Sequence, residues 1–249
     1  MTDEPGPRGR VVALLLAGGT GRRFGSGRNK VLEPLLGRPL LFHSLEALGD
    51  ADEIIVVVHP GDREVVAAEL AEEPTVRGNV KVVLGGRRRQ DSVMLGLQAT
   101  PRDCALVVVH DGARPLVTRE LTRRVLAAAV RTGAAIPALP VHETVKGTDG
   151  AGRVTGTLDR SRLVLVQTPQ AFRRELLERA HLANQQDGDA DATDDAALVE
   201  RISAEVEVVE GDRLNLKVTT RDDLALAEAA LRLRSARSGA PAVPRKARS

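Results

Sequence analysis

The chain has 249 residues, of which 42% are hydrophobic, enough for one large α/β domain or two small ones. Aromatics make up only 1% (Phe24, Phe42 and Phe172), so the core must be built from Leu, Val and Ala, and no aromatic platform is available on which single-stranded bases could stack. The formal charge of +2 is concentrated at the C-terminus, where Arg237, Arg245, Lys246 and Arg248 stand without an acid in residues 235–249; the body is not basic, and a nucleic-acid partner is not expected.

Residues 1–9 read as a disordered N-terminus, and the domain begins at residue 10. The apolar, β-branched run at 11–16 predicts a buried strand. It opens into Leu16-Ala17-Gly18-Gly19-Thr20-Gly21-Arg22-Arg23-Phe24, followed at once by Gly25-Ser26-Gly27-Arg28-Asn29-Lys30. A glycine-rich loop of this kind lets backbone N–H groups approach phosphate oxygens, while Arg23 and Lys30 reach the same phosphates from the side. Triphosphate is the expected ligand, and a solvated basic turn is the bland alternative. Neither familiar phosphate loop fits. The dinucleotide fingerprint lacks its third glycine after Gly19-Thr20-Gly21, and the P-loop pattern lacks both a glycine before Lys30 and a Ser or Thr after it.

Helical spacing at 40–49, 62–72 and 90–100 alternates with apolar runs at 54–58, 80–84 and 105–109. This pattern predicts a Rossmann-like, mostly parallel α/β sheet with helices on both faces, in which ligands bind at the carboxyl ends of the strands. One cleft should therefore collect the loop after Leu16, the Gly85-Gly86 turn, and His110-Asp111-Gly112-Ala113-Arg114-Pro115. After Gly86 come Arg87, Arg88 and Arg89, of which Arg89 is expected to face ligand. Ser92 sits near a helix start, where it either caps the helix or contacts a base or sugar. Asp111, just beyond a buried strand, suits a divalent ion or a sugar hydroxyl, or else caps the turn to Pro115. Arg114 three residues on would be costly in the cleft without an anion. His110 reads as a satisfied buried histidine. Cys104, alone in an apolar run, admits no internal disulfide and fits a reducing compartment; with no membrane-length apolar run and no signal pattern, a cytoplasmic protein without a membrane partner is expected.

A helix near 118–132 and a strand at 134–139 follow. Between 141 and 166 the pattern changes to two short strand-like runs around a turn-rich segment, Gly147-Thr148-Asp149-Gly150-Ala151-Gly152, which predicts a projecting hairpin arm. Two strands rarely stand alone in water, so a second subunit is the expected partner, with folding back on its own domain the alternative. A strand at 163–167, helices near 173–184 and 193–201, a strand at 206–209 and a helix at 221–233 complete a single domain ending at 234. Residues 235–249 form a disordered basic tail.

No nucleophile–base constellation, zinc spacing or paired catalytic carboxylates emerge. A cleft rich in cations suits phosphoryl or nucleotidyl transfer, which needs positioning and charge neutralisation more than covalent chemistry.

Several motifs in order along the chain carry a resemblance. They are Ala17-Gly18-Gly19-x-Gly21-Arg22-Arg23 with Lys30, Gly85-Gly86 with Asp91-Ser92-Val93, Val109 through Pro115, Glu143-Thr144-Val145-Lys146, Asp159-Arg160, Gln167-Thr168-Pro169-Gln170, Thr193-Asp194-Asp195 and Asn215-Leu216-Lys217-Val218-Thr219. Between residues 11 and 231 the chain resembles the 2-C-methyl-D-erythritol 4-phosphate cytidylyltransferases of the non-mevalonate isoprenoid pathway. The resemblance implies the nucleotide-diphospho-sugar transferase type of fold and Mg2+ as cofactor, while the arm, with no obvious place on its own core and carrying Thr144 and Arg160, leads us to expect a homodimer with a site shared across the interface. The implied reaction joins CTP and a small polyol phosphate, 2-C-methyl-D-erythritol 4-phosphate, to give the cytidine diphosphate alcohol and pyrophosphate. Arg23 and Lys30 would stabilise charge at the α-phosphorus, and Arg160 and Lys217 would hold the attacking phosphate. Asp111, Arg114, Thr144, Thr168 and Thr193 would line the polyol and ribose region. Ala17, Gly18, Gly19, Gly86, Ser92, Asp111 and Gly112 would approach the nucleotide, with Asp111 a candidate metal ligand. Two other readings are a ribitol 5-phosphate cytidylyltransferase and a non-catalytic nucleotide-binding module. Retention of both Arg23 and Lys30 argues against the second.

Overall fold

The computed structural model describes residues 9–19, 24, 29–73 and 79–238. In chain order the elements are β1 (Arg10–Ala17), β2 (Pro34–Leu35), β3 (Arg38–Pro39), α1 (Leu40–Ala47), β4 (Glu53–Val58), α2 (Arg63–Glu72), β5 (Asn79–Leu84), α3 (Arg89–Gln98), β6 (Cys104–Asp111), α4 (Arg119–Thr132) and β7 (Ala134–Pro140). There follow β8 (Lys146–Thr148), β9 (Val154–Thr157), β10 (Val164–Val166), β11 (Gln170–Arg173), α5 (Arg174–Gln186), α6 (Asp195–Arg201), β12 (Glu207–Glu210) and α7 (Arg221–Ser238).

Strands β6, β1, β4 and β5 lie side by side and parallel, as their near-continuous apolar sequences require. Successive residues of β1 point to opposite faces. Val11, Ala13, Leu15 and Ala17 join Phe42 and Leu45 of α1 and Leu121 and Val125 of α4. Val12 and Leu14 join Val93 and Leu97 of α3, Leu177 of α5 and Leu198 of α6. The sheet is thus covered on both faces. A smaller cluster of Phe24, Leu35, Leu40, Leu116, Val218, Ala227 and Ala230 docks α7 against the domain. Thr118 starts α4 by accepting the Leu121 N–H at 3.1 Å.

Two features depart from the sequence expectations. Strand β11 inserts antiparallel between β6 and β7, whereas the sequence suggested only a strand near 163–167. Gln170 and Arg173 interrupt the apolar character of this four-residue strand, so periodicity gave no signal. Helix α7 runs to Ser238, four residues into the segment expected to be a disordered tail, and its turn before that segment is anchored by Arg234, which bonds Asp212 and the Leu116 carbonyl. The rest of that expected tail, and residues 1–8 of the expected N-terminal one, lie outside the described residues. The arm forms a hairpin of β8 and β9, a two-stranded sheet of its own, before β10 returns to pair with β7. Every residue of β9 is exposed.

Candidate active site

Strand register places the site. Leu16 of β1 pairs with Asp111 of β6, Ala17 with Val58 of β4, and Val58 with Leu84 of β5, so the segments that follow these residues open at one edge of the sheet. The expected collection of loops is therefore present. It encloses a cavity of about 340 Å3 lined by Gly18, Gly19, Lys30, Gly86, Ser92, Asp111 and Lys217, together with Leu16, Val31, Ala113 and Arg87, Arg88 and Arg89.

Each wall has a local cause. After β5 the chain must turn against the start of α3, and at Gly86 a Cβ would stand 2.4 Å from the Cβ of Asp91. Only glycine fits such an approach. The Ser92 hydroxyl accepts the Gly86 N–H at 3.1 Å and donates to the Arg88 carbonyl at 3.1 Å, so its first task is to build this turn. On the other side Asn29 donates to the Ala17 carbonyl at 2.5 Å and to Asp62 at 2.9 Å, and it caps the short 3-10 turn that carries Lys30. Asn29 thus ties the far end of the glycine loop back to the strand from which the loop left. Nothing in its sequence context singled it out, because the partners lie on other elements.

Asp111 is the electrostatic centre. Lys217 Nζ stands 2.6 Å from one carboxylate oxygen and Arg89 Nε 3.4 Å from the other. Burial opposes ionisation of Asp111, but Arg89 and then Lys217 outweigh it and hold the carboxyl well below the usual carboxylate range. Arg89 is itself gripped by the fully buried Asp195, 2.7 Å away, which lies 3.4 Å from His181. Burial disfavours the charge on Arg89, yet Asp195 and Asp111 raise its pKa above the ordinary value. Burial likewise works against Asp195 as a carboxylate, and Arg89 and His181 keep it ionised. The expectation that Arg89 faces a ligand is met only in part: it lines the cavity but is oriented by two carboxylates.

Beneath Asp111, the Thr168 hydroxyl accepts the Asp111 N–H at 3.1 Å and lies 3.0 Å from His110 Nδ1. His110 Nε2 is 3.3 Å from the Arg114 carbonyl, an acceptor, so Nε2 carries the proton and Nδ1 accepts from Thr168. Burial pushes the His110 pKa down to about 4, so it is neutral, as a satisfied buried histidine.

The remaining candidates are scattered. Arg114 directs Nη1 at the Asn215 main-chain carbonyl at 2.8 Å, not at the cavity, and Gly112 donates to the Leu16 carbonyl at 2.9 Å. Thr168 is buried, with its hydroxyl engaged as above. Thr193 is exposed just before α6, and Thr144 and Arg160 are exposed on the arm, where Arg160 donates to the His142 carbonyl. None of these six lines the cavity of the single chain. Arg23 lies outside the described residues. Among the described residues no group of three His, Cys, Asp or Glu could hold a metal ion.

A doubly covered sheet with a glycine- and cation-lined cavity at its carboxyl edge, and one ionised carboxylate braced between cations, has the layout that a nucleotidyltransferase needs to hold a triphosphate. Comparison with known proteins makes this specific. The chain belongs to the 2-C-methyl-D-erythritol 4-phosphate cytidylyltransferase family, whose model matches residues 11–233. It is 45% identical to the enzyme of that name from Syntrophus aciditrophicus over 90% of this chain and 96% of the relative, and 44% identical to that from Prochlorococcus marinus over 89% and 98%. Among solved structures, that of the Thermus thermophilus 2-C-methyl-D-erythritol 4-phosphate cytidylyltransferase is similar with a TM-score of 0.72 at 39% identity, covering 88% of this chain and 98% of that one. The 4-diphosphocytidyl-2C-methyl-D-erythritol synthase from Anaerococcus prevotii gives 0.79 at 30% identity, covering 91% and 100%.

Proposed function

We propose that the protein transfers the cytidylyl group of CTP to the phosphate of 2-C-methyl-D-erythritol 4-phosphate, forming 4-diphosphocytidyl-2-C-methyl-D-erythritol and pyrophosphate. The observation that carries this reading is the convergence of Lys30, Lys217 and Asp111 on one cavity at the strand ends of a chain belonging to this family. A phosphate oxygen of the polyol attacks the α-phosphorus of CTP, a new P–O bond forms, and the bond to the β-phosphate breaks with its electron pair leaving on pyrophosphate. Both reactants are anions, so repulsion must be cancelled by fixed cations. Lys30, on the loop return, is assigned with Arg23 to the α-phosphate. Lys217, across the cavity and in contact with Asp111, is assigned with Arg160 to the attacking phosphate. Gly86 and the Ser92 turn face the base, and Asp111 the ribose.

Magnesium keeps most of its ligands as water and phosphate oxygens and needs only one or two protein carboxylates. Asp111 is the one carboxylate lining the cavity, and among the described residues no multidentate cage surrounds it, so it would serve as a single ligand for an ion arriving on the triphosphate, with Lys217 and Arg89 competing for its oxygens. When bound, the metal would neutralise charge on the triphosphate and the departing pyrophosphate.

We also propose a homodimer in which each arm completes the partner's cleft. The arm and the adjoining β10 expose Val154, Leu158, Val164, Leu165 and Val166, while Thr144 and Arg160 stand away from the cavity of their own chain. No helix among the described residues is long and apolar enough to cross a membrane. The deciding assay is pyrophosphate release from CTP with 2-C-methyl-D-erythritol 4-phosphate or ribitol 5-phosphate offered separately. Faster turnover of the ribitol ester would reverse the substrate assignment.

A further inference from the structure

Lys217 sits in a stretch, residues 211–220, with neither helix nor strand between β12 and α7. A lysine on a flexible stem is useful against a phosphate only if its backbone is fixed, and the fixing is done by two buried amides to which the proposed chemistry assigns no part. The Gln167 side chain, nearly fully buried, donates to the Asp212 carbonyl at 2.9 Å and accepts the Asp212 N–H at 3.1 Å. A primary amide so placed imitates a peptide unit. It continues the β12–β7 pairing past Glu210, where Gly211 N–H still reaches the Ala138 carbonyl at 2.8 Å. The Asn215 side chain, fully buried, donates to the Thr168 carbonyl at 2.8 Å, while the main-chain carbonyl of Asn215 accepts from Arg114 at 2.8 Å. Val218 N–H closes the span on the Ala113 carbonyl at 2.8 Å. Gly211 is part of the fit, since a Cβ there would meet Gln167 Oε1 at 2.7 Å and the Ala138 carbonyl oxygen at 3.0 Å.

We propose that Gln167 and Asn215 are positioning residues for Lys217, suspending its loop from the β10–β11 turn so that the ammonium is held against Asp111 in the cleft. The inference rests on the cytidylyltransferase reading for its kinetic consequence and on geometry alone for its structural one.

Gln167→Ala tests it through two independent readouts, with Gly211→Ala as a second variant that displaces Gln167 Oε1 without touching the cavity lining. Hydrogen exchange of the whole protein should accelerate at the amides of residues 211–218 and stay unchanged in β1, β4 and β6. Steady-state pyrophosphate release should lose about 10²-fold in kcat/KM, the scale of an ångström of misplacement. The same change in a Lys217→Ala background should cost less than about twofold, because residues acting through one group are not additive. Losses that multiply in both backgrounds, or wild-type exchange at 211–218 in folded protein, would overturn the proposal. If no polyol phosphate supports release even in the wild-type protein, the reading of function fails, and exchange alone decides the positioning.

Discussion

His110 and Lys30 show how differently two polar side chains at one cleft behave. His110 is sealed under the site, neutral and doubly hydrogen-bonded, and its folded pKa of about 4 lies below the ~6.5 of an unfolded histidine. The unfolded chain therefore binds the extra proton between these values. The stabilisation is complete above pH 6.5 and is lost as pH falls through the folded pKa, a change of about 3 kcal/mol. Urea unfolding at pH 7 and pH 4.5 should show this decline, and His110→Gln should flatten the part belonging to this window. Lys30 concerns catalysis instead. Lys30→Ala should lower kcat by about 10²–10³, the loss expected for one preorganised stabiliser, while the fold and, to a lesser degree, CTP binding persist. Turnover near wild type in the folded variant would remove Lys30 from the mechanism. The sequence exposed Lys30 readily because it stands in a local run of glycines and cations. It marked Gln167 and Asp195 only as motif residues and hid what they and Asn29 do, because their partners lie 12 to 106 residues away in the chain.

Among the elements, the parallel strands were the most legible and β11 the least. Strands β1, β4 and β6 are buried on both faces, and burial on both faces demands uninterrupted apolar residues. Strand β11 has four residues, begins with a buried glutamine that bonds Asp194 at 2.7 Å, and is held by neighbours rather than by its own pattern. The hairpin arm was legible from its turn, but its two strands satisfy only each other, and its function depends on what covers it. Mixing disabled subunits tests this. If Arg160 acts in the partner's cleft, hybrids of Lys30→Ala with Arg160→Ala contain one cleft with both lesions and one with neither, so exchange of subunits should restore activity. Verified exchange with no recovery would place Arg160 in its own chain's chemistry, even in a dimer.

The whole molecule is close to neutral, with a formal charge of +2, yet its cleft gathers Lys30, Arg87, Arg88, Arg89 and Lys217 around a single carboxylate. Binding of a triphosphate should therefore stabilise the fold strongly. CTP at 100 times its dissociation constant contributes about 2.7 kcal/mol, which raises the melting temperature of a chain this long by about 5–10 °C. If the base lies against the Gly86–Ser92 turn, as proposed, UTP at the same concentration should shift it less, because it presents a carbonyl where cytosine presents an amino donor. Equal shifts would deny base selection by this turn. By itself the sequence determined the alternation of strands and helices, the sheet edge at which the glycine and Asp111 loops gather, and the family, since each is written in contiguous residues or motifs in order. Only the tertiary structure decided which side chains reach the cavity. It turned Arg114 toward Asn215, closed Thr168 between Asp111 and His110, set Arg89 between two carboxylates and bonded Gln167 to Asp212 in the loop that carries Lys217. The physical reason is that a hydrogen-bonded polar group is fixed by partners brought together only when the sheet closes its register, and no local pattern records them.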